Sequence, residues 1–558
     1  KIKPTISKER LFDNISQYIL IRNQNYLQKQ KGYIEDENGE KYYLGSANRS
    51  YFKYRLNNKY IQAGITAEKD MGETFLDEHQ TYGFDFYSAH LLIKNVGKIE
   101  STIIGDYQLQ IGQGISMYSG MGFGKSSEVI DIQKSGNLIK AHTSASENLF
   151  FRGIATKINL IENLDLIGFY SNNKVDANIV DTLENNEVVY SSLQSSGLHR
   201  TENELEDKNA IIEQNMGFHF NYKIRGFNIG ATFIQSNING NYDKNILTYN
   251  QFDINKSDNQ IIGTDYQYLL KNMNFFGEIS RSKNGGLAHL NGVLIGLDKT
   301  LSASFMYRNY DRDFQNKYGN SFSETKTQNE KAIYSGLEFR PNLNWKFRAY
   351  TDFYQFPWLK YNTDVPSNGR DIFVQADYKI NRKTNIYLRY KTENKEENYT
   401  IENSNLTEII NRKKQNIRLN SVFNEGDNWT FKNRIEFTNI SINEHLEKGY
   451  LLYQDVKYKP LFSKFNFTFR YLLFNTESYE SRIYTYENDV LYGYSIPSFY
   501  GSGKKVYLLL KYNIIKNTDL WIKFSHTIYD DKEFIKSGWE EIEGNKLTEI
   551  KIQLRLKF

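Results

Sequence analysis

Apolar and polar side chains alternate along most of this chain, without exception over Glu549–Phe558. There Ile550, Ile552, Leu554, Leu556 and Phe558 share one face, and Lys551, Gln553, Arg555 and Lys557 the other. Because successive strand side chains point to opposite faces, the segment predicts a strand with one apolar and one cationic side. The same alternation puts Phe465, Phe467, Phe469 and Tyr471, or Phe218, Phe220 and Tyr222, on apolar faces. Such segments recur in pairs joined by two to five residues, near Asn57-Asn58, Asn95-Val96-Gly97, Asn159 to Asn163, Arg225-Gly226, Lys271-Asn272, Asp298-Lys299, Pro341-Asn342, Asn381-Arg382, Glu425-Gly426-Asp427, Pro460-Leu461 and Ile515-Lys516. Asn, Gly and Asp supply the turn chemistry of tight hairpins. The opposite ends of the pairs are joined by longer polar stretches, among them Gly112 to Glu147, Asp176 to Asn209, Glu393 to Arg412 and Asn475 to Ser502, with one short link at Ser282 to Gly286.

The rhythm predicts an all-β chain: an antiparallel transmembrane β-barrel of about 24 strands from Gln17–Tyr26 to Phe558, with short periplasmic turns and long extracellular loops. Ser481 to Tyr494 fits either a strand pair or part of an extracellular loop. Residues 1–14 are expected to form a periplasmic N-terminal segment and 15–558 a single barrel. The chain opens on Lys1, which points to a processed or truncated product of an exported precursor. The mean hydropathy of −0.64 argues against membrane-crossing helices but not against a barrel, whose apolar residues are every second one. Forty-three Tyr and 36 Phe argue against disorder and suit interfacial girdles. No repeat of about 40–50 residues supports a propeller. The absence of Cys excludes disulfides and thiolate metal sites, and a net charge of +4 implies no strongly basic overall field.

Strand parity assigns a second set of side chains to the lumen: the basic residues Arg308, Arg348, Arg389, Arg418, Arg470, Lys511, Lys523 and Arg555, against fewer acids such as Glu338, Asp352, Asp377 and Glu436. Two readings stand open, a lumen cross-braced by ion pairs or closed by an acidic plug, and a positively biased passage for anions. Barrels of 22 strands already enclose a plugged lumen, so a larger one needs an occluding element. The first candidate is 112–147, whose Gly112, Gly114, Gly120, Gly122 and Gly124 permit close backbone approach and precede Lys125; the second is 176–209. Gly124-Lys125-Ser126 is a near miss to a P-loop, which requires Gly where Ser119 stands.

Catalytic constellations are not expected. The eight His are scattered, with no His-Glu-x-x-His segment, and no Gly-x-Ser-x-Gly elbow occurs, so no enzyme activity, metal or cofactor is predicted. The tyrosines of Tyr484-Thr485-Tyr486 and Tyr492-Gly493-Tyr494 suit stacking on sugars, a partner surface, or the girdle.

A closing alternating strand that ends on Phe558 resembles the bacterial outer-membrane barrels, whose last strand carries the signal read by their insertion machinery; this implies the outer membrane, the lipid bilayer and that machinery as partners. Further stretches resemble one family specifically: Tyr43-Leu44-Gly45-Ser46, Tyr51-Phe52-Lys53-Tyr54-Arg55, Ala63 to Asp70, Gly83 to His90, Gly105-Asp106-Tyr107-Gln108, Gly112-Gln113-Gly114, Phe123-Gly124-Lys125, Glu147-Asn148 and Tyr486-Glu487-Asn488-Asp489. They are similar to the barrel portion of Bacteroidota outer-membrane proteins that carry an N-terminal helix-hairpin-helix region of competence type. No such helix pair is found in this chain, so no DNA-binding residue carries over, and nucleic acid enters as a partner through the resemblance alone. The expected function is a gated or plugged channel for anionic solutes or polymers, DNA included. The alternative is a non-conducting barrel subunit of an outer-membrane assembly or secretion complex, with other envelope proteins or lipoproteins as partners.

Overall fold

The computed structural model describes residues 12–558 apart from positions 123, 135, 137, 184–187, 255, 401–406 and 444. Of residues 1–14, only the last three lie among them. Antiparallel pairing runs strand to strand from Ser16–Tyr26 to Lys546–Lys557, and these two strands pair with each other from Tyr18↔Lys557 to Tyr26↔Glu549. The main sheet has 26 strands; two short ones, Met117–Tyr118 and Ile139–Ala141, hang inside from Ile99–Ile111, which leaves a closed ring of 24. Every tight turn read from the sequence lies at one end of this ring. Left-handed residues close several of them, such as Gly226 (φ 77°) and Asn163 (φ 69°).

The outward parity is apolar: Ile65, Ile104, Phe218, Phe220, Ile262, Phe305, Ile333, Phe353, Leu388, Leu419, Phe469 and Ile552 are all exposed. The inward parity is polar and buried. That division is the signature of a wall between lipid and an aqueous or protein-filled lumen. The link 282–286 closes as the short turn expected, with the N–H groups of Ser282 and Gly285 bonded across it. The expected loop Glu393 to Arg412 is instead mostly strand. Thr384–Thr400 and Thr407–Glu425 run 17 and 19 residues, the longest of the ring, and pair as far as Thr400↔Thr407. Their outer halves carry Glu, Lys and Asn on both faces, so no alternation reveals them.

One departure from the regular wall matters for the lumen. Ile99–Ile111 pairs with Phe86–Val96 only up to His90↔Gly105. At Gly105 (φ 97°) a Cβ would collide with the Ala89 carbonyl. Beyond it, Tyr107, Leu109 and Ile111 are fully buried and Leu109 pairs with Ile139. The chain thus enters the barrel interior as residues 112–150.

Candidate functional site

Residues 112–150 and 311–329 pack together against the inward face of the strands between Asp258 and Lys379. The carboxylate of Glu278, 3% exposed, accepts backbone N–H groups from Gln113 (2.6 Å), Ile115 (3.0 Å) and Ser116 (2.7 Å). Gly112 (φ 54°) and Gly114 (φ 84°) take left-handed conformations there, and a Cβ at either would press on Glu278 or on the Asn320 carbonyl. Gly120 and Gly122 lie against the Gln108 and Asn320 side chains, whereas a Cβ at Gly124 would meet only the Ser323 carbonyl, at 3.8 Å. Ser304 and Tyr334 hydroxyls both donate to the Val129 carbonyl, at 2.8 and 3.0 Å. Ile111, Ile115, Met117, Val129, Phe314, Tyr318, Phe322 and Tyr350 merge into one dry core. Lys125 projects from this mass to Asp371 (2.5 Å), Asp352 (3.1 Å) and Glu324. It meets three carboxylates rather than a phosphate. Burial alone would lower its pKa, but Glu324, Asp352 and Asp371 outweigh that and push it up.

A second inward segment, residues 477–501, occupies the arc between Trp429 and Lys557. Glu487 faces Lys505 at 2.8 Å and Lys523 at 3.5 Å; Asp489 faces Lys551 at 2.8 Å and Lys523 at 3.5 Å. Tyr492 reaches the wall, where its hydroxyl accepts from Tyr18 at 3.0 Å. The stretch Ser481 to Tyr494 is thus neither an extracellular loop nor part of the wall; it lies inside. Only the short pair Ile483–Tyr484 and Ser498–Phe499 is strand within this segment.

All eight basic residues assigned to the lumen face inward, and seven meet carboxylates. Arg308 contacts Glu330 (2.5 Å) and Asp352 (2.8 Å) with no exposure; Arg348 contacts Asp377 (2.7 Å) and Glu128. Arg418 pairs with Glu436, Arg470 with Asp455, Lys523 with Glu487 and Asp489, and both Lys511 and Arg555 with Asp519. Arg389 donates to Gln375 and lies over the rings of Phe373 and Tyr387. These cations brace the wall.

Besides Arg389, and Lys134 and Lys414, which bond to backbone carbonyls, a group of cations without carboxylate partners sits on the arc of the first strands. Arg49, Tyr51, Lys53 and Arg55 share the inward face of Arg49–Asn57. Arg49 is held by Glu68 and Asp70, both at 2.8 Å. Among the described residues, Arg22, Lys53, Arg55, Lys94 and Lys140 have no carboxylate in ion-pair reach. Arg22 covers the Tyr51 ring at 4.5 Å and Lys53 the Tyr492 ring at 4.9 Å. They line two cavities. A lower one of about 640 Å³ toward the short-turn end includes Arg55, Lys94, Lys140 and Thr143. An upper one of about 570 Å³ toward the long-loop end includes Arg22, Lys53, Thr143, Asp489 and Tyr492. A further cavity of about 800 Å³, beneath the dry core at the short-turn end, is lined by Arg348, Asp377 and Tyr387.

Above the upper cavity, loop residues from three connections meet at His199. Its Nδ1 lies 2.6 Å from Asp85 and its Nε2 3.1 Å from Asp176, while its N–H donates to Glu73 at 3.1 Å. Lys208 adds a bond to Asp85 at 2.6 Å, and Glu147 and Asp176 also converge on the ring. Burial would lower the imidazolium pKa, but Asp176 and Asp85 outweigh it and raise it to about 10. Burial and Asp85 raise Glu73 to about 8, and burial with Asp85 raises Glu147 to about 9.

Sequence reading missed the inward course of 311–329 and 477–501, and the His199 cluster. Phe314, Tyr318 and Phe322, spaced by four in a stretch taken for a polar loop, were the available signal for the first. The basic face of Arg49–Asn57 was the signal for the open arc. The His199 cluster left none, because its members come from three separate connections.

No protein-family model matches the chain, and no curated protein matches it in sequence. Solved structures with similar architecture include the siderophore receptor PirA from Pseudomonas aeruginosa (6% identity, TM-score 0.46, 98% of this chain and 80% of that one). The ferric citrate transporter FecA in its unliganded form (10%, 0.44, 98% and 79%) and the copper transporter OprC (6%, 0.44, 100% and 84%) are others. Likeness at this level carries no function to the present chain.

Proposed function

We propose that this chain is an outer-membrane transport barrel, short turns toward the periplasm, that passes small anionic solutes along the arc of its first strands. The observation that carries the reading is the distribution of charge in the lumen. Where 112–150 and 311–329 fill the barrel, Lys125, Arg308 and Arg348 are paired with carboxylates, Lys134 with the Asn320 carbonyl, and the core is dry. Where two polar cavities follow one another along Arg49–Asn57, cations without carboxylate partners line them. Rings of uncompensated charge set the selectivity of a pore. The cavities fall within the range of small-ligand sites, about 300–1,000 Å³. Small carboxylates or phosphates fit; a polymer, DNA included, requires 112–147 and 477–501 to leave the lumen. The family resemblance adds an envelope setting and nothing about cargo.

Reconstitution in planar bilayers tests the reading. Anion-selective conductance, raised when 112–147 is shortened, is expected; a silent or cation-selective barrel overturns it. The ribbon formed by Thr384–Thr400 and Thr407–Glu425 favours a second reading, a non-conducting subunit that docks envelope partners through this projection. Stoichiometric partners in mild detergent, lost when residues 396–410 are replaced by a tight turn, support that alternative.

A further inference from the structure

The two cavities of the proposed route meet at one hydrogen bond. Thr143 lines both, and its carbonyl accepts from Lys53 Nζ at 2.6 Å. Thr143 begins the bend 143–148, between Ile139–Ala141, which is paired to Tyr107–Leu109, and the wall strand Phe151–Ile161. The other hydrogen bonds of this bend stay within it or run to a neighbouring loop. The Ser146 carbonyl meets His142 Nε2, the Ser146 N–H donates to Ser144 Oγ, and Asn148 donates to the Ser195 carbonyl. Among the described residues, Lys53 is therefore what ties the bend to the barrel wall. Leu149, at the end of the bend, holds φ 55°, a region few non-glycine residues adopt.

The same ammonium faces the upper cavity. Lys53 is only 4% exposed, and its partners are a neutral carbonyl and the Tyr492 ring. Arg22, which pairs across from Tyr51 while Lys53 pairs with Leu20, is one inward position away and has the Tyr51 ring as its partner. Of the acids that line the cavity, Glu68 and Asp70 hold Arg49, Asp489 holds Lys551, and Glu147 gathers with Asp176 at His199. A buried lysine and a half-buried arginine, neither in an ion pair, in a cavity of about 570 Å³ call for an oxyanion. The Thr143 carbonyl is neutral and leaves the ammonium without a counter-charge, whereas a carboxylate or phosphate supplies one, so an arriving oxyanion competes with it.

Resting on the transport reading above, we infer that the upper cavity is a recognition site for a small carboxylate- or phosphate-bearing solute held between Arg22 and Lys53, and that Lys53 couples its arrival to opening. When the ammonium turns from Thr143 to the oxyanion, the bend 143–148 loses its tie to the wall and the two cavities join. Tyr492 and Tyr494 offer ring faces for the body of the solute.

Calorimetric titration of the full chain in detergent with glucose 6-phosphate, glucuronate and glucose tests the site. The two anions are expected to bind and glucose not. Arg22→Gln and Lys53→Gln should each weaken binding at least tenfold, whereas Lys53→Arg and the wall-bracing Arg418→Gln retain it; heat-modifiability on gels reports that each variant is folded. Hydrogen exchange tests the coupling: amides 143–148 should exchange faster when glucose 6-phosphate is bound, and fast with or without it in Lys53→Met. Equal binding of glucose, unaltered affinity in both Gln variants, or a bend that becomes protected on binding overturns the inference. Anion-selective conductance without such binding sinks the site and leaves the route standing. Binding without conductance sinks the route while leaving the site.

Discussion

Lys125 Nζ lies 3.1 Å from a carboxylate oxygen of Asp352, whose other oxygen accepts from Arg308 Nη1 at 2.8 Å. One wall carboxylate therefore serves both a wall cation and a cation from the inward segment. Removing one partner of a buried pair costs about 3–5 kcal/mol, because it leaves charge uncompensated. Lys125→Met is expected to lower unfolding stability in detergent by that order and to raise single-channel conductance, as 112–150 loosens. Unchanged conductance at lowered stability would show that this anchor does not hold the closed state.

Glu278 binds the other end of the same segment through three backbone N–H groups. Glu278→Gln keeps the volume but removes the charge and turns one acceptor into a donor, so at most part of this set survives. The expected outcome is faster hydrogen exchange at amides 113–116 and larger conductance, with the barrel itself intact by heat-modifiability. Protection equal to the wild type would refute the assignment.

The His199 cluster predicts a pH dependence at the long-loop end. Groups whose folded pKa is raised contribute stability that is complete below their unfolded values and lost as pH rises through the folded ones. For Glu73 and Glu147 that window runs from about 4.5 to about 8 and 9, and for His199 from 6.5 to about 10. Asp85 acts oppositely at the acid end: burial raises its pKa, His199 and Lys208 more than offset this, and its contribution is lost as pH falls through its lowered value. Loops 70–85 and 176–210 should therefore resist protease near pH 6 and become susceptible toward pH 10. His199→Gln should remove the part of this dependence above pH 9. A flat profile in the wild type would contradict the cluster as drawn.

Selectivity should follow the unpaired cations, not the numerous paired ones. Arg55→Glu with Lys94→Glu is expected to reduce or reverse anion preference in reversal-potential measurements. Arg418→Gln, which breaks the 2.9 Å pair with Glu436 but leaves that carboxylate its bond from Arg434, should lower stability modestly with little effect on selectivity. The reverse pattern would place the route on the opposite arc.

The wall was legible because its signals are local. Alternation with period two names the lipid face of Phe218, Phe220 and Tyr222, and Asn, Gly or Asp marks most tight turns, with Pro460 marking another. Pairing in the lumen was not, since it joins residues far apart in the chain: Lys125 meets Asp371 across 246 positions and Arg348 meets Glu128 across 220. Parity could place Arg308 and Arg348 inside, but only the course of 112–150 and the neighbouring strands decides whether their charge is spent. The same holds for Lys523, whose partners lie in a segment read as an outer loop.

The seam between the first and last strands sets the order in which this molecule can fold. Its side-chain bond from Gln24 to Glu549 spans 525 positions, and backbone pairing continues to the N–H of Phe558, which donates to the Gln17 carbonyl. Every other wall hairpin closes over a far shorter stretch, so the ring must persist as an open, curled sheet with two unsatisfied edges until its final strand arrives. Such edges invite pairing with any other strand, and contacts this distant form slowly. Until then the edge of Ser16–Tyr26 stays open to mispairing while the remaining strands are laid down. Lys551, on the closing strand, reaches Asp489 of the inward segment, so sealing the wall adds a last tie to a segment that Lys505 and Lys523 already hold.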